Sequence, residues 1–254
     1  MNIIVPIKQV PDLVEGLEID DSGKDLNREW MKFKLNEFDD HALEEALILK
    51  EETGATVTAI ALDSDDVDKA LFTAAAKGAD TIIKVTGVSG TGLSSHEAAK
   101  ALANVIGGMS YDLVMTGVQA IDDRDGQLAV LLAHYLDKPH VSVVTSVTVA
   151  GDQAVISKEY GGGLVAEFEG TFPMVLGIQA ARQSPRYVPV AKVRQIMRSA
   201  SIEEVAAGDV GVSSGSDITK YFTPVSGGGA EMIGGSAEDQ AAKIVELLKS
   251  KGIK

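Results

Sequence analysis

The feature that most constrains the fold is an alternation, along the first half of the chain, of short apolar runs with segments of helical periodicity. The apolar runs cover residues 3–7, 57–62, 81–85 and 113–116, and the helical segments cover residues 36–50, 67–77, 95–106 and 128–136. Such alternation is typical of βαβ units. It predicts an α/β fold with an open, mostly parallel twisted sheet and helices on both faces.

The second half has a different pattern. Four strand-like runs follow at short spacing, at residues 141–149, 154–158, 164–168 and 174–178, and they predict an antiparallel hairpin extension of the sheet. After residue 184, Gly and Pro interrupt every run, and only residues 237–248 regain clear helical periodicity. So little internal patterning offers few contacts to offset conformational entropy. We therefore predict a domain over 1–184 and a long C-terminal arm over 185–254 that packs on a partner subunit.

Composition excludes several classes of function. The chain has 23 Lys plus Arg against 37 Asp plus Glu, a net charge of −14 that argues against nucleic-acid binding. Its lack of Cys excludes disulfides, thiol nucleophiles and Cys-ligated metals, and its four His show no metal-binding spacing. No apolar stretch approaches the roughly 20 residues of a membrane helix. We expect a cytoplasmic protein that is not membrane-embedded and has no metal site.

The loop over 117–128 is the strongest candidate for a ligand site. Ligands of open α/β sheets lie beyond the carboxyl ends of the strands, which here precede segments 8–13, 62–66 and 117–128. A loop between a strand and a helix presents backbone N–H groups and a helix N-terminus to a phosphate. Gln119, Asp122 and Gln127 add polar groups for a ribose or a base. A capped helix with an acidic approach loop is an equally good interpretation of these residues alone.

Charge patterns give two further predictions. The helix over 36–50 has Asn36 as its N-cap candidate, and its carboxylates at 44, 45, 51 and 52 are interpreted as a solvated side. Between 182 and 198 the chain carries five basic residues and no acidic one: Arg182, Arg186, Lys192, Arg194 and Arg198. Such a segment can steer an acidic partner or pair with a partner subunit. A basic surface helix that balances its neighbours is the alternative.

Several spaced motifs together resemble the beta subunit of electron transfer flavoprotein. They are VPIKQVPD at 5–12, LNEFD at 35–39 with ALEEA at 42–46, AKGAD at 76–80, GVQAIDD at 117–123, KEYGGGL at 158–164, FPMVL at 172–176 and PRY at 185–187. The resemblance covers essentially the whole chain. Residues 25–40, 117–119 and 241–244 are most similar to the bacterial branch that serves amine dehydrogenases.

The resemblance implies an electron carrier without catalytic residues of its own. Its alpha subunit would hold FAD in a heterodimer, a flavin-dependent dehydrogenase would supply electrons, and domain 1–184 would bind AMP. The implied nucleotide site comprises Pro6, Asn36, Glu37, Phe38, Asp39, Leu62, Gly117, Val118, Gln119, Ala120, Ile121, Asp122, Asp123, Arg124, Asp125, Gly126, Gln127 and Leu128. Leu13 and Phe38 would approach the alpha-subunit flavin. Val190 and Arg194, in the recognition segment 185–200, would contact the dehydrogenase.

Two alternatives remain open. One is a bifurcating subunit that binds a second FAD and NADH. Leu128, where the family often has Thr, and Asp63, where it often has Gly, count against that reading, since Asp63 would repel an additional phosphate. The other is a freestanding adenine-nucleotide-binding regulatory domain, which has little use for the long arm.

Overall fold

The computed structural model describes residues 1–14, 16–123, 126–213, 217–225 and 227–253. The chain divides into two compact units. The first comprises Met1–Glu18 and Leu26–Ile218, and the second comprises Ile19–Asp25 and Thr219–Lys254.

Among the described residues, the first unit carries all the strands of two sheets and five α-helices. Its strands are β1 (Asn2–Pro6), β2 (Gln9–Pro11), β3 (Phe33–Leu35), β4 (Thr56–Leu62), β5 (Thr81–Thr86), β6 (Leu113–Gly117), β7 (His140–Ala150), β8 (Gln153–Tyr160), β9 (Leu164–Thr171), β10 (Met174–Ile178) and β11 (Glu203–Ala206). Its helices are α1 (Glu37–Thr53), α2 (Val67–Lys77), α3 (Ser95–Ile106), α4 (Leu128–Leu136) and α5 (Val190–Ser199).

Within the described residues, the main sheet has nine strands in the order β11-β5-β4-β1-β6-β10-β7-β8-β9. Neighbouring strands are parallel from β11 through β7, whereas β7, β8 and β9 form antiparallel pairs. The predicted fold class is therefore confirmed. The predicted antiparallel extension is confirmed for β7, β8 and β9 but is wrong for β10, which lies between β6 and β7 and is parallel to both, although only residues 172–173 separate it from β9. A small antiparallel sheet of β2 and β3 was not predicted.

Helices cover both faces of the sheet because successive side chains of a strand point to opposite sides. Ile3 and Val5 of β1 join a buried cluster with α1 and α2 residues such as Leu43 and Leu71. Ile4, between them, joins a second cluster with α3 and α4. The apolar runs are continuous because both faces of each central strand are buried.

The second unit contains helix α6 (Ala237–Ser250), close to the predicted helix over 237–248. Ser236 and Asp239 form a reciprocal capping box at its N-terminus. Its apolar side chains Ile244, Val245, Leu247 and Leu248 are exposed.

Two further sequence-based expectations are wrong. The prediction that only residues 237–248 regain clear helical periodicity after residue 184 missed β11, and it left α5 only as the alternative of a basic surface helix. Contacts with α2 and pairing with β5 stabilise these two segments. The prediction of a solvated carboxylate side on α1 fails for Glu44 and Glu45, which are buried. Arg186 and Arg182 pair with these carboxylates from more than 130 residues away, so their burial leaves no isolated charge.

Candidate functional site

The site lies where the order of the parallel strands reverses direction. From β1 the chain proceeds to β4 and β5 on one side, and it then crosses to β6 on the other side of β1. Crevices at such switch points, beyond the carboxyl ends of the strands, are where open α/β sheets bind ligands. Pro6, Leu62 and Gly117 end β1, β4 and β6 at this edge. Hydrogen bonds of Lys8 with Asp122 and of Gln9 with Asp66 link the three segments that follow these strands.

Gly117 allows α1 to approach the end of β6 closely. A Cβ atom built on Gly117 would lie 2.4 Å from Asp39 Oδ1, 2.8 Å from the backbone nitrogen of Asp39 and 2.8 Å from the carbonyl carbon of Phe38. No side chain fits at that separation from backbone atoms. The first turn of α1, which carries the predicted residues Glu37, Phe38 and Asp39, is therefore fixed against the strand end.

Asp39 joins three segments from a buried position. Its carboxylate accepts hydrogen bonds from the backbone N–H of Lys8 at 2.8 Å and from that of Gly117 at 3.2 Å. Burial raises the pKa of Asp39 from its ordinary 3.8 to about 7, although hydrogen bonds from Asn36 and Lys8 act in the opposite direction. The carboxylate thus serves as an internal connector between the end of β1, the end of β6 and α1.

Asn36 holds the loop after β6 against the start of α1. It occupies the predicted N-cap position, but its side chain makes no capping hydrogen bond to the helix. Its Nδ2 instead donates to the carbonyl oxygen of Gln119 at 2.8 Å, and its backbone N–H donates to that of Lys8 at 2.9 Å. A side chain read from sequence as a cap therefore shapes the ligand loop.

Lys8 offsets part of the negative charge of this loop, and it was not among the predicted site residues. Its Nζ donates to Asp122 Oδ1 at 2.7 Å and to Asp123 Oδ1 at 3.2 Å. Burial tends to lower the pKa of Lys8, but Asp123 and Asp122 raise it more, so the net shift is upward. Asp123 also accepts from the N–H of Ala120 at 2.8 Å, which closes a turn. The two acidic side chains are thus engaged with Lys8 and the loop backbone.

The N-terminus of α4 faces the same loop. Gln127 is its N-cap residue and makes no side-chain hydrogen bond to the helix, and no acidic residue lies in the first turn. The first-turn N–H groups, beginning at Leu128, have no intrahelical acceptors and suit an anion. Gly126 has φ +59°, and its built Cβ would lie 2.9 Å from Gln119 Cβ, so glycine is required at this bend. Arg124 and Asp125 lie outside the described residues.

The other predicted residues differ in their exposure. Pro6 and Ala120 are buried, and Phe38, Leu62, Val118 and Leu128 are half-buried. Glu37, Gln119 and Ile121 are exposed, as is Leu13, whose exposed fraction is 50%. The apolar side chains of Leu13 and Ile121 are thus accessible to solvent in the segments that follow β2 and β6.

Gln9, the first residue of β2, was also missed. Its Nε2 donates to the carbonyl oxygen of Asp66 at 2.6 Å and so links the β2–β3 sheet to the loop after β4. Its buried Oε1 has no hydrogen-bond partner among the described residues. The sequence gives no signal for the role of Gln9, because its contact with Asp66 becomes evident only in the folded structure.

The basic segment divides into two groups. Val190 and Arg194 are exposed on α5, where the sequence placed a partner contact. Arg182 and Arg186 instead pair with carboxylates of α1, so a direct role in steering a partner is wrong for these two. Carboxylates of the same chain therefore balance the positive charges of Arg182 and Arg186.

Two kinds of feature are absent from the described residues. They contain no cluster of three or more His, Cys, Asp or Glu that could hold a metal ion. Nor is any helix among them both long and apolar enough to cross a membrane.

Comparisons with known proteins agree on one family. A family model described as "Electron transfer flavoprotein domain" matches residues 26–210. The chain is 35% identical to the electron transfer flavoprotein subunit beta of Methylophilus methylotrophus, over 98% of each chain. It is 31% identical to the subunit of the same name from Thermoanaerobacterium thermosaccharolyticum, over 100% of each chain, and 28% identical to the Mus musculus subunit, over 97% of this chain and 98% of that one.

Proposed function

The chain belongs to the electron transfer flavoprotein family, and on that premise we propose that it is the beta subunit of a heterodimer that carries electrons from a flavin-dependent dehydrogenase to a downstream acceptor. The redox chemistry is supplied by FAD held mainly by the alpha subunit. This chain would bind a nucleotide and help to orient and shield the flavin, and it performs no bond-making step of its own.

We propose AMP as the nucleotide of this chain. The observation that carries the proposal is the N-terminus of α4, whose N-cap residue Gln127 makes no capping hydrogen bond, beside a loop whose Asp122 and Asp123 are paired with Lys8. A phosphate there would meet backbone N–H groups and the positive end of a helix, and the acidic loop would repel it less because Lys8 offsets its charge. Leu128 offers no hydroxyl group, so backbone groups would hold the phosphate.

The FAD pocket of the alpha subunit would be completed by residues at the same edge. Phe38 lies in the first turn of α1, and exposed Leu13 follows β2. Apolar side chains at this position would exclude water from the face of a flavin. The close approach of α1 to Gly117 would keep Phe38 in a fixed place.

We propose α5 as the docking element for the dehydrogenase. Val190 is 63% exposed at its first turn, and Arg194 lies one turn further on the exposed surface. An aliphatic side chain beside a cation suits a partner with a small apolar pocket and an acidic rim.

Co-expression with the alpha subunit tests the proposal. We expect a one-to-one complex that releases one AMP and one FAD on denaturation, as identified by mass spectrometry. Two FAD per heterodimer would favour the bifurcating alternative. A stable, flavin-binding monomer of this chain alone would contradict the heterodimer.

A pair of asparagine variants tests the nucleotide site. Asn36→Ala should lower AMP content because it removes the hydrogen bond to the Gln119 carbonyl. Asn104→Ala is the matched control, since Asn104 also donates to backbone carbonyls, those of Ala207 and Asp209, but lies on α3. Equal AMP content in both variants would show that the loop contact does not support binding.

A further inference from the structure

Two arginines and four glutamates form an arginine–glutamate ladder on α1. The arginines precede α5, and the glutamates occupy two pairs of positions seven residues apart on α1: Arg182, Arg186, Glu44, Glu45, Glu51 and Glu52. Seven residues are about two helical turns, so each arginine spans two glutamates on one face.

Arg186 pairs with Glu44 and Glu51. Its Nη2 and Nε donate to Glu44 Oε1 and Oε2 at 2.8 Å and 2.9 Å, and its backbone N–H donates to Glu44 Oε2 at 2.9 Å. Its Nη1 donates to Glu51 Oε1 at 2.8 Å. This is the two-pronged geometry in which a guanidinium binds carboxylates most strongly.

Arg182 repeats the arrangement with Glu45 and Glu52. Its backbone N–H and Nε donate to Glu45 at 2.9 Å and 2.8 Å, and its two terminal nitrogens donate to Glu52 at 2.8 Å and 3.0 Å. Beside it, the N–H of Ala181 donates to His41 Nδ1 at 3.2 Å. The backbone and the side chains of this segment are thus both fastened to α1.

Burial makes the inner contacts hard to release. Glu44 and Glu45 are 3% and 1% exposed. Burial would raise the pKa of Glu44, but its hydrogen bonds with Arg186 lower it below the ordinary value, and the pKa of Arg186 is raised in turn. An arginine that left would abandon a buried carboxylate, which is strongly unfavourable.

We propose that the arginine–glutamate ladder positions α5 for docking, so that Arg182 and Arg186 are positioning residues. This inference rests on the docking role proposed for α5. The basic charge offered to the partner then reduces to Lys192, Arg194 and Arg198, which are exposed on α5.

The ladder also connects docking to the flavin side of the molecule. Glu44 lies six residues beyond Phe38 on the same helix, a separation of roughly 9 Å along the axis. One rigid element therefore carries both the side chain proposed to face the flavin and the anchor of the docking segment. Ordering α5 before the partner arrives lowers the conformational entropy lost on binding.

The test uses the full heterodimer and removes only the two exposed carboxylates of the ladder, with the double variant Glu51→Gln/Glu52→Gln. The side chains of Glu51 and Glu52 are 64% and 47% exposed, so folding should be retained. The control is Glu167→Gln/Glu169→Gln, which makes the same charge change at exposed positions of β9. We expect hydrogen exchange of the α5 amides, residues 190–199, to accelerate about tenfold, equivalent to about 1.4 kcal/mol of local protection, with no change in the control.

A spectroscopic measurement separates positioning from general stability. The chain has no native Cys, so Met197→Cys gives a single nitroxide site in this subunit on α5. The double variant Glu51→Gln/Glu52→Gln should narrow the electron paramagnetic resonance spectrum of this nitroxide. The FAD content and the hydrogen exchange of β1 and β6 should stay unchanged. Unchanged spectra and exchange would overturn the inference, as would loosening that spreads to β1 and β6. Absence of flavin from the wild-type heterodimer would instead refute the proposed function.

Discussion

Replacement of Gly117 by Ala tests the close approach at the centre of the site. The new Cβ would lie 2.8 Å from the backbone nitrogen of Asp39 and 2.8 Å from the carbonyl carbon of Phe38, against an ordinary contact of at least 3.4 Å. The first turn of α1 must therefore move by about 0.6 Å. Such overpacking, together with a weakened hydrogen bond to Asp39, should destabilise the fold by roughly 3 kcal/mol.

That loss should lower the midpoint of thermal unfolding by roughly 6–12 °C, measured on the heterodimer by differential scanning calorimetry. AMP content should fall as well, because Asn36 moves with α1. Gly108→Ala is the control, since its Cβ would meet only the Val105 carbonyl oxygen at an ordinary 3.6 Å. If the two variants unfold within a degree of each other and retain equal AMP, the steric argument is wrong.

Three further predictions concern charge and docking. Burial raises the pKa of Asp39 to about 7, so between about pH 4 and about pH 7 the native chain holds a proton that the unfolded chain releases. The free energy of unfolding of the wild type, measured in urea, should therefore fall by roughly 4 kcal/mol over that range. Asp39→Asn should remove most of this pH dependence. Lys8→Met should weaken AMP binding roughly fivefold, about 1 kcal/mol, in equilibrium dialysis by unpairing Asp122 and Asp123, and an unchanged affinity would remove Lys8 from the site. Val190→Ala should weaken dehydrogenase docking by roughly 1.6 kcal/mol at unchanged flavin content. Arg194→Glu should slow association with the dehydrogenase most at low salt. If both variants associate at the wild-type rate in stopped-flow measurements at every ionic strength, α5 is not the docking element.

The periodic parts of the fold were predictable because both faces of the central strands are buried. Ile3, Ile4 and Val5 are apolar without interruption, and the helices between strands have recognisable periods. The four residues of β11 include Glu203 and Glu204, so no apolar run announces a strand there. Pairing with β5 decides its conformation, and such pairing between distant segments is not encoded in local pattern.

The candidate site was predictable as a location but not as a network. Loop 117–128 could be predicted as a ligand site because it follows a parallel strand. The sequence contains Gly117 but does not show which atoms of α1 lie close to it. Lys8 and Asp122 are 114 positions apart, and Arg186 and Glu44 are 142 apart. Charged residues on a helix are usually solvated, so the burial of Glu44 becomes evident only when its distant partner is placed.

The position of β11 has a consequence for how the chain folds as it is synthesised. Until residue 206 has left the ribosome, the outer edge of β5 presents unpaired backbone groups, and more than a hundred residues must be added before β11 can cover it. An uncovered strand edge is a template for association between nascent chains. A truncation at residue 184 would leave that edge permanently open, so we expect the fragment to aggregate although it retains the central βαβ units, and extension to residue 210 to restore a monodisperse product.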